Sequence, residues 1–136
     1  MSRRSKRELD PGKLDFPGMK AKFYVRGDMI GGGKVDLLRV LARTGSITGA
    51  AAEMGMSYRR AHFLLETMQR CFAQPIYVTT RGGRGAGGTV VTSLGLELID
   101  EYDAAMEKFH DASRDFMRWL EVHQPEDGDA SEGAQD

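Results

Sequence analysis

The chain has 136 residues, enough for one domain with a modest core and too few for a second full-sized one. With 40% hydrophobic and 29% charged residues it has the composition of an ordinary globular protein. No apolar run approaches the roughly 18 residues that span a bilayer, and a single cysteine, Cys71, excludes an intrachain disulfide and a cysteine metal cluster.

The net charge of −1 hides an asymmetry. Residues 1–19 carry five Lys/Arg against three Asp/Glu. Residues 20–92 carry eleven against four, a net +7, and residues 93–136 carry three against thirteen, a net −10. A basic middle with an acidic end suits a polyanion-binding body and a solvated tail. The basic start is followed by no apolar stretch, so it does not read as a secretory signal, and a cytoplasmic location is expected.

In chain order, residues 1–19 are polar with two Pro-Gly pairs, and are expected to form a flexible arm. Residues 21–26 are β-prone, Gly27 and Asp28 suit a turn, and Met29 and Ile30 a return strand. Gly31, Gly32 and Gly33 are expected to break that strand. Helical spacing begins near Val35: Val35, Leu37, Leu38, Leu41 and Ala42 predict a helix over 34–43. Thr44 and Gly45 end it. Ser46 suits the N-cap of a short helix over 47–54, because its hydroxyl can accept a free first-turn N–H. Gly55 stops that helix. Ser57 suits the cap of a third helix with apolar positions at Ala61, Leu64, Leu65, Met68 and Phe72, ending before Pro75.

A strand over 76–80, a glycine-rich loop over 81–88 and a return strand over 89–92 follow. Thr92 or Ser93 caps one long last helix. In it Ile99, Tyr102, Met106, Phe109, Ser113, Phe116 and Leu120 recur at spacings of three and four, a heptad seam. Residues 122–136 are expected to be a disordered acidic tail.

The pattern from Ile47 to Glu66 carries the functional argument. Two helices crossing at close range need a small residue at the contact, a glycine in the turn and apolar anchors beside it. Ala51, Gly55, Met54 and Met56 meet these needs together, and Ala61 and Leu64 grip from the second helix. The predicted fold is mainly α with small β hairpins: a winged helix-turn-helix with a long C-terminal dimerisation helix. The second helix of such a unit enters the major groove and reads bases from its N-terminal end.

With its apolar face inward, that helix turns Arg59, Phe63, Glu66 and Arg70 outward. The planar fork of Arg59 suits guanine O6 and N7. Ser57, Tyr58 and Arg60 suit phosphates or bases at the helix start. His62 either contacts DNA or packs at the helix edge, and Phe63 either meets a thymine methyl or packs on the protein. The glycine-rich loop suits a wing tip whose Arg81 and Arg84 reach phosphates or the minor groove. A solvated loop is the alternative.

Two enzyme-like patterns do not hold up. Gly83, Gly85 and Gly88 match GxGxxG, but strand-forming Thr89, Val90 and Val91 follow where a helix is required. Gly31 to Lys34 lacks the Ser/Thr and the upstream glycine of a phosphate-binding loop. No catalytic triad, paired carboxylates or metal-ligand spacing occurs, so neither an enzyme nor a cofactor is expected.

Thr44, Gly45, Ser46 and Ile47, then Ala50 and Ala51, then Met54, Gly55, Met56, Ser57 and Tyr58 resemble the helix-turn-helix of the ModE family of molybdate-dependent regulators. Residues 82–88, followed by Val91, Thr92 and Gly95, resemble that family's wing. LysR-type regulators are more distantly similar. The resemblance covers about residues 20–115. It implies a homodimer made largely through the last helix, here Ile99, Tyr102, Met106, Phe109, Phe116 and Leu120, with groove and wing roles for Tyr58, Arg59, Arg60, Arg81 and Arg84. It implies a sequence-specific regulator of double-stranded DNA and a link to molybdenum metabolism. The family's molybdate-binding domains are not found after Leu120, so molybdate itself is not expected as a ligand. A low-specificity architectural DNA-binding protein and a protein-interaction module are the alternatives.

Overall fold

The structure, a computed structural model, describes residues 18–80 and 88–125. Of the arm expected over 1–19, residues 1–17 lie outside the described residues, as do 81–87 of the loop expected over 81–88 and 126–136 of the tail expected over 122–136; Val122, the first residue of that tail, is helical. Two compact units divide the described residues, 20–106 forming one and those from Glu107 onward belonging to the other.

β1 (Lys22–Val25) and β2 (Asp28–Gly31) pair antiparallel, with Val25 opposite Asp28 and Lys22 opposite Gly31. The turn is therefore Arg26-Gly27, one residue earlier than expected. Both residues have positive φ, 52° and 89°, the arrangement that matches the twist of a two-residue hairpin. Gly31 does not break the strand: it closes the ladder and stands at the N-cap of α1 (Gly32–Thr44). The helix thus starts two residues before the expected 34.

α1 is the hub of the body, touching β2, β4, α2 and α3. Val35, Leu37, Leu38 and Leu41 are wholly buried and Val40 nearly so, whereas Ala42 is exposed and not on the core face as expected. Elements cover α1 on several sides, so its buried surface is wider than one stripe. Lys34 is also buried, and its ammonium donates to the Met29 carbonyl at 2.8 Å.

α2 (Ile47–Met54) and α3 (Tyr58–Gln69) follow. Phe72, expected on α3, lies past its end in the connection to β3, although it still packs on the core. Gln69 closes this connection: its amide nitrogen donates to Gln74 O at 2.9 Å, and its amide oxygen accepts from Ile76 N at 2.7 Å. The wing stem is β3 (Tyr77–Thr80) paired antiparallel with β4 (Gly88–Val91), Tyr77 opposite Val91 and Thr80 opposite Gly88. Gly88 thus belongs to the strand and not to the loop. Thr92 leaves the strand to cap the next helix, α4 (Ser93–Ala112): its hydroxyl accepts from Gly95 N at 3.1 Å and donates to Pro75 O at 2.7 Å.

The last helix is not continuous. It breaks at Ser113 (φ −98°, ψ 10°) and resumes as α5 (Arg114–Val122). The Ser113 hydroxyl donates to the His110 carbonyl at 3.3 Å, the local side-chain competition that makes serine a weak residue inside a helix. Among the described residues the architecture is α+β, five helices with two small hairpins, in the order expected of a winged helix. No described helix is long and apolar enough to cross a membrane.

Candidate nucleic-acid interface

The helix-turn-helix is set by local chemistry at each joint. The Ser46 hydroxyl accepts from Gly49 N at 2.9 Å and starts α2, relieving one of the unpaired first-turn donors. Gly55 ends α2 in the left-handed region at φ 71°, where a side chain would be strained. Met56 N donates to Ala51 O at 3.0 Å, tightening the turn. The Ser57 hydroxyl then accepts from Arg60 N at 3.0 Å and starts α3. Ala50, Ala51 and Ala61 are buried, and α2 and α3 touch. Met54, Met56 and Leu64 are half-buried against the core. The bidentate pair Arg43–Glu53 joins α1 to α2.

α3 buries Ala61, Leu65, Thr67 and Met68. Its opposite side carries the expected contact residues. Ser57, Tyr58, Arg59 and Arg60 are exposed at its N-terminal end, and Phe63 and Glu66 are exposed further along. Among the described residues no carboxylate pairs with Arg59 or Arg60. Two cations with no ion pair among the described residues therefore stand at the end of the helix whose dipole is already positive. His62 stacks on Tyr58, ring centroids 5.9 Å apart, and lies 3.8 Å from Glu66. Tyr58, His62 and Glu66 thus form one row along the helix. Arg70, expected to point outward, is exposed but ion-paired with Asp28 of the first hairpin at 3.5 Å.

The wing stem is held against the turn before α2. Thr89 N donates to Gly45 O at 2.9 Å, and a Cβ on Gly88 would lie 2.9 Å from the same oxygen. Only a glycine lets β4 approach so closely. Gly88 and Gly45 thereby place the base of the loop beside the helix-turn-helix, a contact that residue patterns did not signal. Tyr77 is half-buried on β3, and burial first, then Glu66 and Tyr58, push its phenol up. Arg81 and Arg84 lie outside the described residues.

The expected dimer seam is split. Ile99 is buried in the domain's own core, and Tyr102 is half-buried with its ring 6.0 Å from Phe23. Met106 and Leu120 are half-buried, while Phe109 and Phe116 are exposed. Trp119 and Val122, absent from the expected seam, are also exposed. Trp119 stacks on Phe116 at 6.2 Å and on His123 at 4.5 Å. Ion pairing adds a further contact on α4: Arg39 donates to both carboxylate oxygens of Asp103, at 2.8 and 3.1 Å. Among the described residues no group of histidine, cysteine and carboxylate side chains is placed to hold a metal. Burial first, then the Asp28 carboxylate, pushes the Cys71 thiol up.

No protein-family model matches the chain. It is 40% identical over 78 residues to the molybdenum-pterin-binding protein MopB of Rhodobacter capsulatus, which covers 57% of this chain and 29% of MopB. It is 33% identical over 79 residues to the molybdenum transport protein ModE of Azotobacter vinelandii, covering 58% and 29%. It is 34% identical over 70 residues to the DNA-binding transcriptional dual regulator ModE of Escherichia coli (strain K12), covering 52% and 27%. The chain spans less than a third of the length of these relatives. Over about half of its residues, the chain is thus similar to part of the MopB and ModE proteins.

Proposed function

We propose that this chain is a transcription regulator that binds double-stranded DNA sequence-specifically as a homodimer. The observation that carries this reading is the capped helix-turn-helix with Arg59 and Arg60 exposed and unpaired, among the described residues, at the start of α3. α3 lies in the major groove, with Arg59 reading a base edge and Ser57, Tyr58 and Arg60 at phosphates or bases. His62 and Phe63 contact the groove further along the helix. Arg81 and Arg84, on the loop between β3 and β4, grip flanking backbone. The relative named as a DNA-binding transcriptional dual regulator supports the DNA partner, and the relatives named for molybdenum support a place in molybdenum metabolism. In this reading molybdate is not a ligand of the described residues.

Two recognition helices would sit about 34 Å apart, one turn of duplex. The second copy docks on Met106, Phe109, Phe116 and Leu120, joined by Trp119. Ile99 and Tyr102 are already used within the domain, and their part in pairing is to support α4 from below.

Arg59→Ala tests the assignment. Loss of a bidentate base contact costs about 1–3 kcal/mol and relaxes preference at one position. Arg59 is exposed and makes no ion pair among the described residues, so the melting temperature stays at the parent's value. The check is a binding titration on the selected site and on its single-base variants. A variant with the parent's full base preference removes Arg59 from the reading.

A further inference from the structure

The first hairpin carries a surface that the helix-turn-helix does not use. Residues 20–26 alternate strictly in exposure: Lys20, Lys22, Tyr24 and Arg26 are exposed, while Ala21, Phe23 and Val25 are half-buried. Period-two alternation puts Lys22 and Tyr24 on one face of β1, with Lys20 exposed just before the strand and Arg26 exposed in the turn after it. Tyr24 is the most exposed large hydrophobic residue among the described residues, at 76%. Among those residues no carboxylate pairs with Lys20, Lys22 or Arg26. The hairpin's own acid, Asp28, is turned to Arg70. Three cations with no ion pair among the described residues therefore stand around an exposed phenol.

The hairpin is anchored to the C-terminal end of α3. β2 touches α3, Asp28 pairs with Arg70 at 3.5 Å, and the Cys71 thiol lies 3.9 Å from Val25 O. α3 has 12 residues. At 1.5 Å per residue its two ends are about 18 Å apart, roughly half a turn of duplex. A cationic strip at that offset from Arg59 falls within reach of phosphates beyond the bases that α3 reads.

We propose that the Lys20, Lys22, Tyr24 and Arg26 surface is a second duplex contact that binds the phosphate backbone flanking the site read by α3. This rests on the DNA-binding function proposed above. The partner is identified by charge: closely spaced anions suit three cations within seven residues, and the Tyr24 hydroxyl can donate to a phosphate oxygen. Such contacts raise affinity for every sequence alike and carry no base preference.

The test is a salt titration of the full chain carrying Lys20→Gln, Lys22→Gln and Arg26→Asn together. Asparagine is chosen at 26 because φ there is 52°, a conformation asparagine tolerates. The probe is a selected-site duplex extended by one helical turn on each side. Each lost phosphate contact lowers the slope of log K against log salt by about 0.9, so the triple variant loses about 2 to 3 per protomer with base preference unchanged. Lys22→Glu alone, with its melting temperature checked against the parent, gives a change of the same sign and guards against misfolding of the triple variant. An unchanged slope in both variants overturns the proposal. So does loss of binding to phosphatidylserine vesicles with the DNA slope intact, which would assign the surface to a membrane. If the parent shows no base preference at all, the DNA-regulator function fails, and the hairpin is still judged by its slope on random duplex.

Discussion

Gly95→Ala lowers the melting temperature by about 12 °C or more, taking about 3 kcal/mol at 4–8 °C per kcal/mol for a domain of this size. The cause is geometric. Gly95 is buried near the start of α4, and a Cβ there would stand 2.2 Å from the Ile76 carbonyl oxygen and 2.6 Å from Val91 Cγ1. Val91 can rotate, but the Ile76 carbonyl is backbone and already accepts from Thr92 N at 3.0 Å. Relief requires α4 to lift away from the residues before β3. That movement strains the Thr92 cap, whose hydroxyl bonds both Gly95 N and Pro75 O. Overpacking against side chains typically costs about 1–3 kcal/mol, and a backbone obstacle places this site at the upper end or beyond. Scanning calorimetry checks it. A Gly95→Ala protein melting within about 3 °C of the parent, less than 1 kcal/mol, would mean that α4 can shift freely at its start.

Leu65→Ala costs about 2–5 kcal/mol, since a wholly buried leucine loses both its transfer energy and the packing around the cavity left behind. Leu65 lies mid-way along α3, on the face opposite the exposed arginines, and holds the recognition helix to the core. Its loss and that of Arg59 should separate cleanly. Leu65→Ala lowers thermal stability while the folded fraction keeps its base preference, and Arg59→Ala does the reverse. Measuring both quantities for both variants checks this. A Leu65→Ala protein as stable as the parent would contradict the packing of α3. A Leu65→Ala protein that is fully folded yet indifferent to sequence would move the reading role away from the exposed face.

Where chemistry is local, the residues were legible. The limits of α2 agree with expectation at both ends, because Ser46 and Gly55 decide them within a few residues. Ser57 likewise sets the start of α3, and that start is the candidate site. Where the outcome depends on distant packing, legibility fails. Three consecutive glycines suggest a break, yet Gly31 pairs with Lys22 and the next two open α1, because the body supplies contacts that propensity does not register. The seam through Ile99 and Tyr102 shows the same limit. Heptad spacing marks a buried stripe without saying what covers it, and here the first part of that stripe is covered by the domain's own core. Ser113 interrupts the helix where the seam predicted continuity. The close approach of Gly88 to Gly45 joins positions 43 residues apart in the chain, and no local rule connects them. The exposed cations around β1, by contrast, are plain in the sequence: Lys22 alternates with Tyr24 within the strand, and Lys20 and Arg26 flank it.

The central claim is that this chain discriminates among DNA sequences. The most direct measurement is the ratio of its affinity for a duplex selected from a random pool to its affinity for random duplex, both at physiological salt. Specific binders are about 10³-fold or more tighter on their own site, and the chain should reach that range. A ratio near one at every salt concentration, or binding to neither duplex, would contradict the claim.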